Sequence, residues 1–265
     1  MADILQKIIA SKRVEVSKAK EVLSIDRLEQ KIMDNAFPVA SLENALKEHP
    51  GIIAEFKRAS PSKGVINASG APYSIVKGYD LGGAAGISVL TDVGYFKAQP
   101  QDFGQARLST QKPLLRKEFI IGEYQIYESK LMGANVILLI AAVLTKAEIK
   151  TFTALAHKLN LEVLIELHDV SEIDKLCGEE NIIGVNNRNL KTFKVDINQS
   201  IKIKNQLGKL VTPLISESGL SSIAEVEQLL SEGFSGFLMG EYFMRKENPV
   251  IGFENFNQEF QQLTK

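Results

Sequence analysis

Cysteine is nearly absent: Cys177 is the only one in 265 residues. An internal disulfide is therefore impossible and a cysteine-rich metal site is excluded. Cys177 stands in an apolar, helical-looking segment with Ile173 and Leu176, which suits a packing role. Histidine is scarce too. His49, His157 and His168 are scattered and form no H-E-x-x-H spacing, so no metal is expected. Neither sign of charge dominates, with 31 Lys and Arg against 32 Asp and Glu. No basic block or aromatic-interleaved basic run points to nucleic acid as a partner. Apolar runs are all too short to span a membrane, and Met1 to Lys20 lacks the apolar core and cleavage site of a signal peptide. A cytoplasmic protein without membrane contact is the expectation. Neither G-x-G-x-x-G nor G-x-x-x-x-G-K-[ST] occurs, which leaves a nucleotide fold unsupported. No serine stands in a G-x-S-x-G elbow or beside a histidine, so serine nucleophile chemistry is not indicated.

What is present is an alternation of short apolar runs and amphipathic helices. Ile4, Leu5, Ile8 and Ile9 recur at helical spacing and predict an N-terminal amphipathic helix lying on the domain. A shorter helix is predicted from Asp26 as N-cap, and a third around Ser41–Leu46, ended by His49-Pro50-Gly51. The runs then begin at Gly51, Gly86, Pro113, Val136, Leu161, Ile182, Pro213 and Gly236, with helical segments such as Lys146 to Leu159 and Ser221 to Glu232 between them. About eight β units with intervening helices in about 250 residues indicate an α/β protein, a (β/α)₈ TIM barrel. A doubly wound open sheet is the competitor, but it favours a Gly-rich first turn that this chain does not have. No linker divides the chain, so residues 1–265 are expected to form a single domain, with residues 1–48 as a helical extension.

The first strand holds the clearest sign of chemistry. Alternation places Ile53, Glu55 and Lys57 on one face and Ile52, Ala54 and Phe56 on the other. A carboxylate and an ammonium thus stand together at the end of a strand that should be buried, where charge is costly unless paired or used. A structural ion pair at the rim would explain that segment alone. Similar polar residues end nearly every other run: Thr91-Asp92, Lys117-Glu118, Glu166 with His168, Asn186-Asn187-Arg188, Ser216-Glu217-Ser218 and Gly240-Glu241. In such barrels the C-terminal ends of the strands carry the active site. Parity puts Lys117 on the face of Leu115, Glu166 and His168 on that of Leu164, and Asn186 and Arg188 on that of Gly184. Lys117 taken singly could be a solvated rim residue, and Glu166 an ordinary ion-pair partner. His168 is expected to open the next helix as a surface residue. The Ser218-Gly219 and Gly240-Glu241 turns precede helices, and loops at these two positions often hold phosphate in barrels. Glu241 is awkward beside an anion, where only its backbone N–H would help.

With these motifs assembled, the chain resembles the indole-3-glycerol-phosphate synthase family over nearly its whole length. The matching segments are Ala54-Glu55-Phe56-Lys57-Arg58-Ala59-Ser60-Pro61-Ser62, Ser88-Val89-Leu90-Thr91-Asp92 and Leu115-Arg116-Lys117-Glu118-Phe119. Ile165-Glu166, Gly184-Val185-Asn186-Asn187-Arg188-Asn189-Leu190, Ser216-Glu217-Ser218-Gly219 and Met239-Gly240-Glu241 complete them. The resemblance implies a carboxy-lyase of tryptophan biosynthesis that needs no cofactor. Its substrate, 1-(2-carboxyphenylamino)-1-deoxyribulose 5-phosphate, becomes indole-3-glycerol phosphate, carbon dioxide and water.

By resemblance Lys117 is the acid at the ketone, Lys57 with Glu55 serves binding and dehydration, and Glu166 faces the cationic intermediate. Asn186, Arg188 and Ser218 would hold the sugar chain, while Phe96, Phe119, Leu138 and Leu190 wall the aryl ring. Lys57, Ser218, Gly219, Gly240 and Glu241 would take the phosphate, and Ser60 lies in a loop that contacts substrate in the family. One segment departs. After Asp92 the family runs through an acidic residue to Phe and a Gly-Ser pair, whereas here the run is Val93-Gly94-Tyr95-Phe96-Lys97-Ala98-Gln99. A Schiff-base aldolase with Lys117 as nucleophile is a second catalytic possibility. A non-catalytic phosphate-binding barrel is a third, and it would not need both lysines and Glu166. Oligomeric state is left open.

Overall fold

The computed structural model describes residues 4–189, 192–208 and 211–264. Three helices precede the first strand: α1 (Ile4–Val22), α2 (Ile25–Met33) and α3 (Leu42–Glu48). The strand β1 (Gly51–Phe56) is buried at all its positions, and a small hairpin, β2 (Ala59–Ser60) with β3 (Gly64–Val65), follows it. From there strands and helices alternate as α4 (Pro72–Leu81), β4 (Gly86–Leu90), α5 (Val93–Phe96), α6 (Asp102–Ser109), β5 (Leu114–Lys117), α7 (Glu123–Leu131), β6 (Val136–Ile140), α8 (Lys146–Lys158) and β7 (Glu162–Leu167). A 3₁₀ turn (Val170–Lys175) leads to β8 (Ile182–Asn186), α9 (Asn198–Leu207), β9 (Leu214–Glu217), α10 (Ile223–Ser231), β10 (Gly236–Met239), α11 (Glu241–Met244) and α12 (Pro249–Leu263).

The eight long strands are all parallel and close on themselves in the order β1-β10-β9-β8-β7-β6-β5-β4. The fold is the (β/α)₈ barrel that the strand count predicts. Both faces of each strand are covered, which explains why the runs are apolar throughout rather than alternating. One face fills the barrel: Ile53, Leu115, Leu138, Leu164, Ile215 and Leu238 form a single cluster. The other face packs under the helices through residues such as Ile52, Ala54, Ile137, Ile165 and Phe237.

The extension divides its work between the two ends of the barrel. Leu42 and Leu46 of α3 join the interior cluster and close the floor at the N-terminal ends of the strands. Glu162 fastens that helix by accepting the Leu42 and Glu43 N–H groups at 2.8 and 3.1 Å. At the opposite end α1 is held by Lys12, a buried ammonium 3.0 Å from Asp92 and 3.1 Å from Glu118. Leu28 of α2 packs with Tyr124 and Tyr127 of α7.

Two local expectations need correction. The N-cap of α2 is Ser24, whose side chain accepts from the Arg27 N–H, and Asp26 sits in the first turn instead. Both residues suit a helix N-terminus, but only Ser24 has extended backbone with its oxygen in reach of an orphan N–H. Cys177 packs against the core as expected, but beyond the 3₁₀ turn rather than in a helix. Among the described residues no helix is long and apolar enough to cross a membrane.

Candidate active site

The C-terminal ends of the strands open into a cavity of about 510 Å³, with Ile4, Leu5 and Ile8 of α1 forming part of its wall. Glu55, Lys57, Lys117, Glu166, Asn186, Ser218, Ser60, Phe96, Phe119, Leu138, Arg188, Gly219, Gly240 and Glu241 all line it. Of the residues expected at the site, Leu190 alone lies outside the described residues.

At the end of β1 the alternation predicted from sequence places Glu55 and Lys57 together, with their charged atoms 2.9 Å apart. Ser88 Oγ of β4 donates to Glu55 at 3.3 Å. Gly240 is required beside them, because a Cβ there would lie 2.6 Å from Glu55 Oε1. Lys117 ends β5 and donates to Glu166 Oε2 of β7 at 2.8 Å and to Glu217 Oε2 of β9. Glu166 Oε1 lies 3.1 Å from His168 Nε2. An added side chain at Gly184 of β8 would run into the Glu217 carboxylate, so this glycine makes room for the acid of the neighbouring strand.

Charge within this cluster is unevenly shared. Burial opposes the Lys117 ammonium, but Glu166, Glu217 and Glu55 outweigh it and raise the pKa above that of an ordinary lysine. Burial likewise opposes ionisation of Glu166, yet Lys117 and then His168 hold its carboxyl well below the usual range. Glu217 goes the other way. Burial pushes it up, Lys117 pulls it back, and the adjacent Glu166 charge pushes it up again, to about 8. Lys117 and His168 both flank Glu166 while Lys117 alone reaches Glu217, so the Glu217 carboxyl is the one held above the usual range.

Around the polar cluster the walls differ in chemistry. Phe96 and Phe119 meet with ring centroids 6.1 Å apart, and Leu138 lies in the same lining. The divergent run after Asp92 thus still delivers Phe96 to the cavity, because Asp92 caps α5 by accepting the Tyr95 and Phe96 N–H groups. On the opposite wall Arg188 Nη2 donates to Glu241 Oε2 at 3.2 Å, and Arg245 reaches the other oxygen at 3.0 Å. Asn186 Oδ1 accepts the Arg188 N–H at 2.9 Å. Ser218 and Gly219 both have left-handed backbone, with φ of 69° and 77°. No side chain caps the turn at Gly240.

Two members of the cluster were not singled out from sequence. Glu217 is two residues beyond the inward-facing Ile215, so parity alone could have placed it in the barrel mouth. His168 requires a correction: it opens no helix and is not a surface residue, since its side chain is 9% exposed against Glu166. The α1 wall carried no sequence signal beyond an amphipathic stripe, because such a stripe does not say which part of the domain it covers. Among the described residues no group of three or more His, Cys, Asp or Glu is placed to hold a metal ion.

Known proteins resemble this chain at two levels. In fold, it superposes with a TM-score of 0.60 on a thiamine phosphate pyrophosphorylase from Pyrococcus furiosus, covering 85% of this chain and all of that one at 13% identity. That likeness concerns the barrel alone. In sequence, it is 43% identical to the indole-3-glycerol phosphate synthase of Bacteroides thetaiotaomicron over 97% of this chain and 98% of the relative. It is 42% identical to that of Neisseria meningitidis over 94% of this chain and 96% of the relative. The family model for indole-3-glycerol phosphate synthase matches residues 5–254. The chain therefore belongs to the indole-3-glycerol phosphate synthase family, the decarboxylating, ring-closing lyases of tryptophan biosynthesis.

Proposed function

We propose that Lys117 is the acid of this ring closure and that the cavity around it takes 1-(2-carboxyphenylamino)-1-deoxyribulose 5-phosphate with its aryl ring toward Phe96, Phe119 and Leu138. The observation that carries the assignment is the Lys117 ammonium, held by Glu166 and Glu217 inside a cavity with one aromatic wall. When the aryl carbon bearing the carboxylate attacks the ketone, negative charge develops on the ketone oxygen. Lys117 donates a proton to it there, leaving a hydroxyl. The ring meanwhile becomes cationic, and ionised Glu166 stabilises it until carbon dioxide leaves and aromaticity returns. In the dehydration the hydroxyl departs as water with a proton from Lys57, and a proton from the adjacent carbon of the new ring passes to a carboxylate. Glu55, 2.9 Å from the Lys57 ammonium, holds it in place for that step.

The phosphate belongs at the Ser218-Gly219 and Gly240-Glu241 turns, near Lys57, while Asn186 and Arg188 hold the sugar chain and Ser60 contacts it from the first loop. The expected conflict at Glu241 is eased by Arg188 and Arg245, which neutralise its carboxylate. In this assignment residues 1–265 act as one unit, with α1 of the extension completing the aryl pocket, and the location is the cytoplasm.

The Schiff-base alternative is disfavoured by the same cluster. An amine nucleophile must be deprotonated, whereas the carboxylates around Lys117 favour the ammonium. The test is to incubate the protein with the anilino-deoxyribulose phosphate, follow indole fluorescence, and repeat with borohydride present. Indole formation without a trapped lysine adduct is expected. A covalent adduct at Lys117 would overturn its role as an acid.

A further inference from the structure

Within the polar cluster, His168 has no part in the ring closure described above, yet it is placed as carefully as the groups that do. Its backbone is pinned from two sides. The N–H donates to Glu172 Oε2 of the 3₁₀ turn at 2.7 Å, and the carbonyl accepts from Gln199 Nε2 of α9 at 2.7 Å. Its side chain is 9% exposed, and Nε2 sits 3.1 Å from Glu166 Oε1. Lys117 takes the other oxygen of the same carboxylate. Among the described residues neither ring nitrogen has an aligned hydrogen-bond partner. Nδ1 is without a partner in either protonation state, so what the imidazolium adds at Nε2 is a positive charge against the ionised Glu166.

We propose that His168 is a positioning residue for Glu166, clamping one carboxylate oxygen as an imidazolium while Lys117 clamps the other. The proposal rests on Glu166 being the carboxylate that faces the cationic intermediate. Such a group must be ionised and rotationally fixed before the ring arrives. A single partner on one oxygen leaves it free to turn, and Glu217, bound to the same ammonium, competes for the negative charge. The second clamp decides the contest in favour of Glu166. The charged groups facing the ring agree with this. Burial lowers the His168 pKa, but Glu166 on its own strand, Glu172 on the 3₁₀ turn and Glu217 on β9 overcome it and raise the net value. Lys117 of β5, across Glu166, is the opposing cation.

The test has two arms. In the first, the imidazole of His168 is titrated by NMR in the substrate-free protein, its signal assigned by its loss in His168→Gln. It should titrate above the ordinary histidine range, and the Glu166→Gln protein should bring it down by about one pH unit or more. An identical titration in both proteins would overturn the clamp, whatever the enzyme's substrate proves to be. In the second arm, kcat is followed against pH for His168→Leu and His168→Gln, with folding checked by thermal melts. His168→Leu should lower kcat about ten- to a hundredfold, the range for losing an outer partner of a functional group. Its acid limb should move to higher pH as Glu166 protonates more easily, while KM changes little. His168→Gln, which keeps a donor, should recover part of kcat. If kcat falls without movement of the acid limb, or falls together with a matching rise in KM, His168 is merely structural and the proposal fails. Should His168→Leu not fold, the Gln variant and the titration still decide.

Discussion

Lys117 illustrates how one side chain can be read two ways until its neighbours are known. Alone it is a lysine at a strand end; between Glu166 and Glu217 it is a half-buried ammonium suited to the acid role proposed for it. Lys117→Met should reduce indole formation by about two to four orders of magnitude, the usual contribution of a positioned acid. Because its loss leaves the ionised Glu166 without the ammonium that balances it, the variant should also unfold about 3 kcal/mol more easily. Fluorescence turnover and denaturant melts check the two effects separately. Glu217 makes a different prediction. Its folded pKa of about 8 stands above the ordinary glutamate value of 4.5, so the native state holds a proton that the unfolded chain releases as pH rises through that interval. Stability from this group is present below pH 4.5 and is lost as pH rises toward 8. Glu217→Gln cannot lose that proton, so its melting temperature should fall less steeply than that of the parent between pH 5 and pH 8. Parallel curves would contradict the raised Glu217 pKa.

At the scale of elements, the consequences come from packing between segments far apart in sequence. Lys12 belongs to α1, but its partners lie at the ends of β4 and β5, beside Phe96 and Lys117 respectively. Lys12→Ala removes the ammonium between two buried carboxylates, which keep their backbone and Thr91 hydrogen bonds, and should cost about 3 kcal/mol of stability, the low end for breaking a buried pair. It should also raise KM, because Ile4, Leu5 and Ile8 leave the cavity wall with the helix; an unchanged KM would show that α1 does not complete the pocket. Gly184→Ala tests a contact between β8 and β9. The added methyl would push the Glu217 carboxylate off Lys117, so kcat should fall while the barrel still forms, as followed by circular dichroism. Strands were legible because period-2 patterning places Glu55, Lys57, Lys117 and Glu166 without knowledge of the fold. Capping was less so. Ser24 and Asp26 are chemically equivalent candidates, and a backbone angle decided between them.

For the molecule as a whole, ligand and fold are linked by mass action. Inorganic phosphate or indole-3-glycerol phosphate should raise the melting temperature. At tenfold over Kd the stabilisation is about 1.4 kcal/mol. Arg188→Ala should weaken that stabilisation for the product and raise KM, since the residue holds the sugar chain in the proposed assignment. A melting temperature indifferent to both ligands would displace the phosphate from the two turns. By itself, the order of apolar runs determined the barrel, and the polar residues at their ends determined where chemistry would gather, because both follow from local alternation along one strand. Only the tertiary structure decided that Lys117 reaches both Glu166 and Glu217 from another strand, that His168 is buried against Glu166, and that α1 walls the cavity. Those outcomes depend on distances between strands and on burial by distant segments, and no local pattern encodes either.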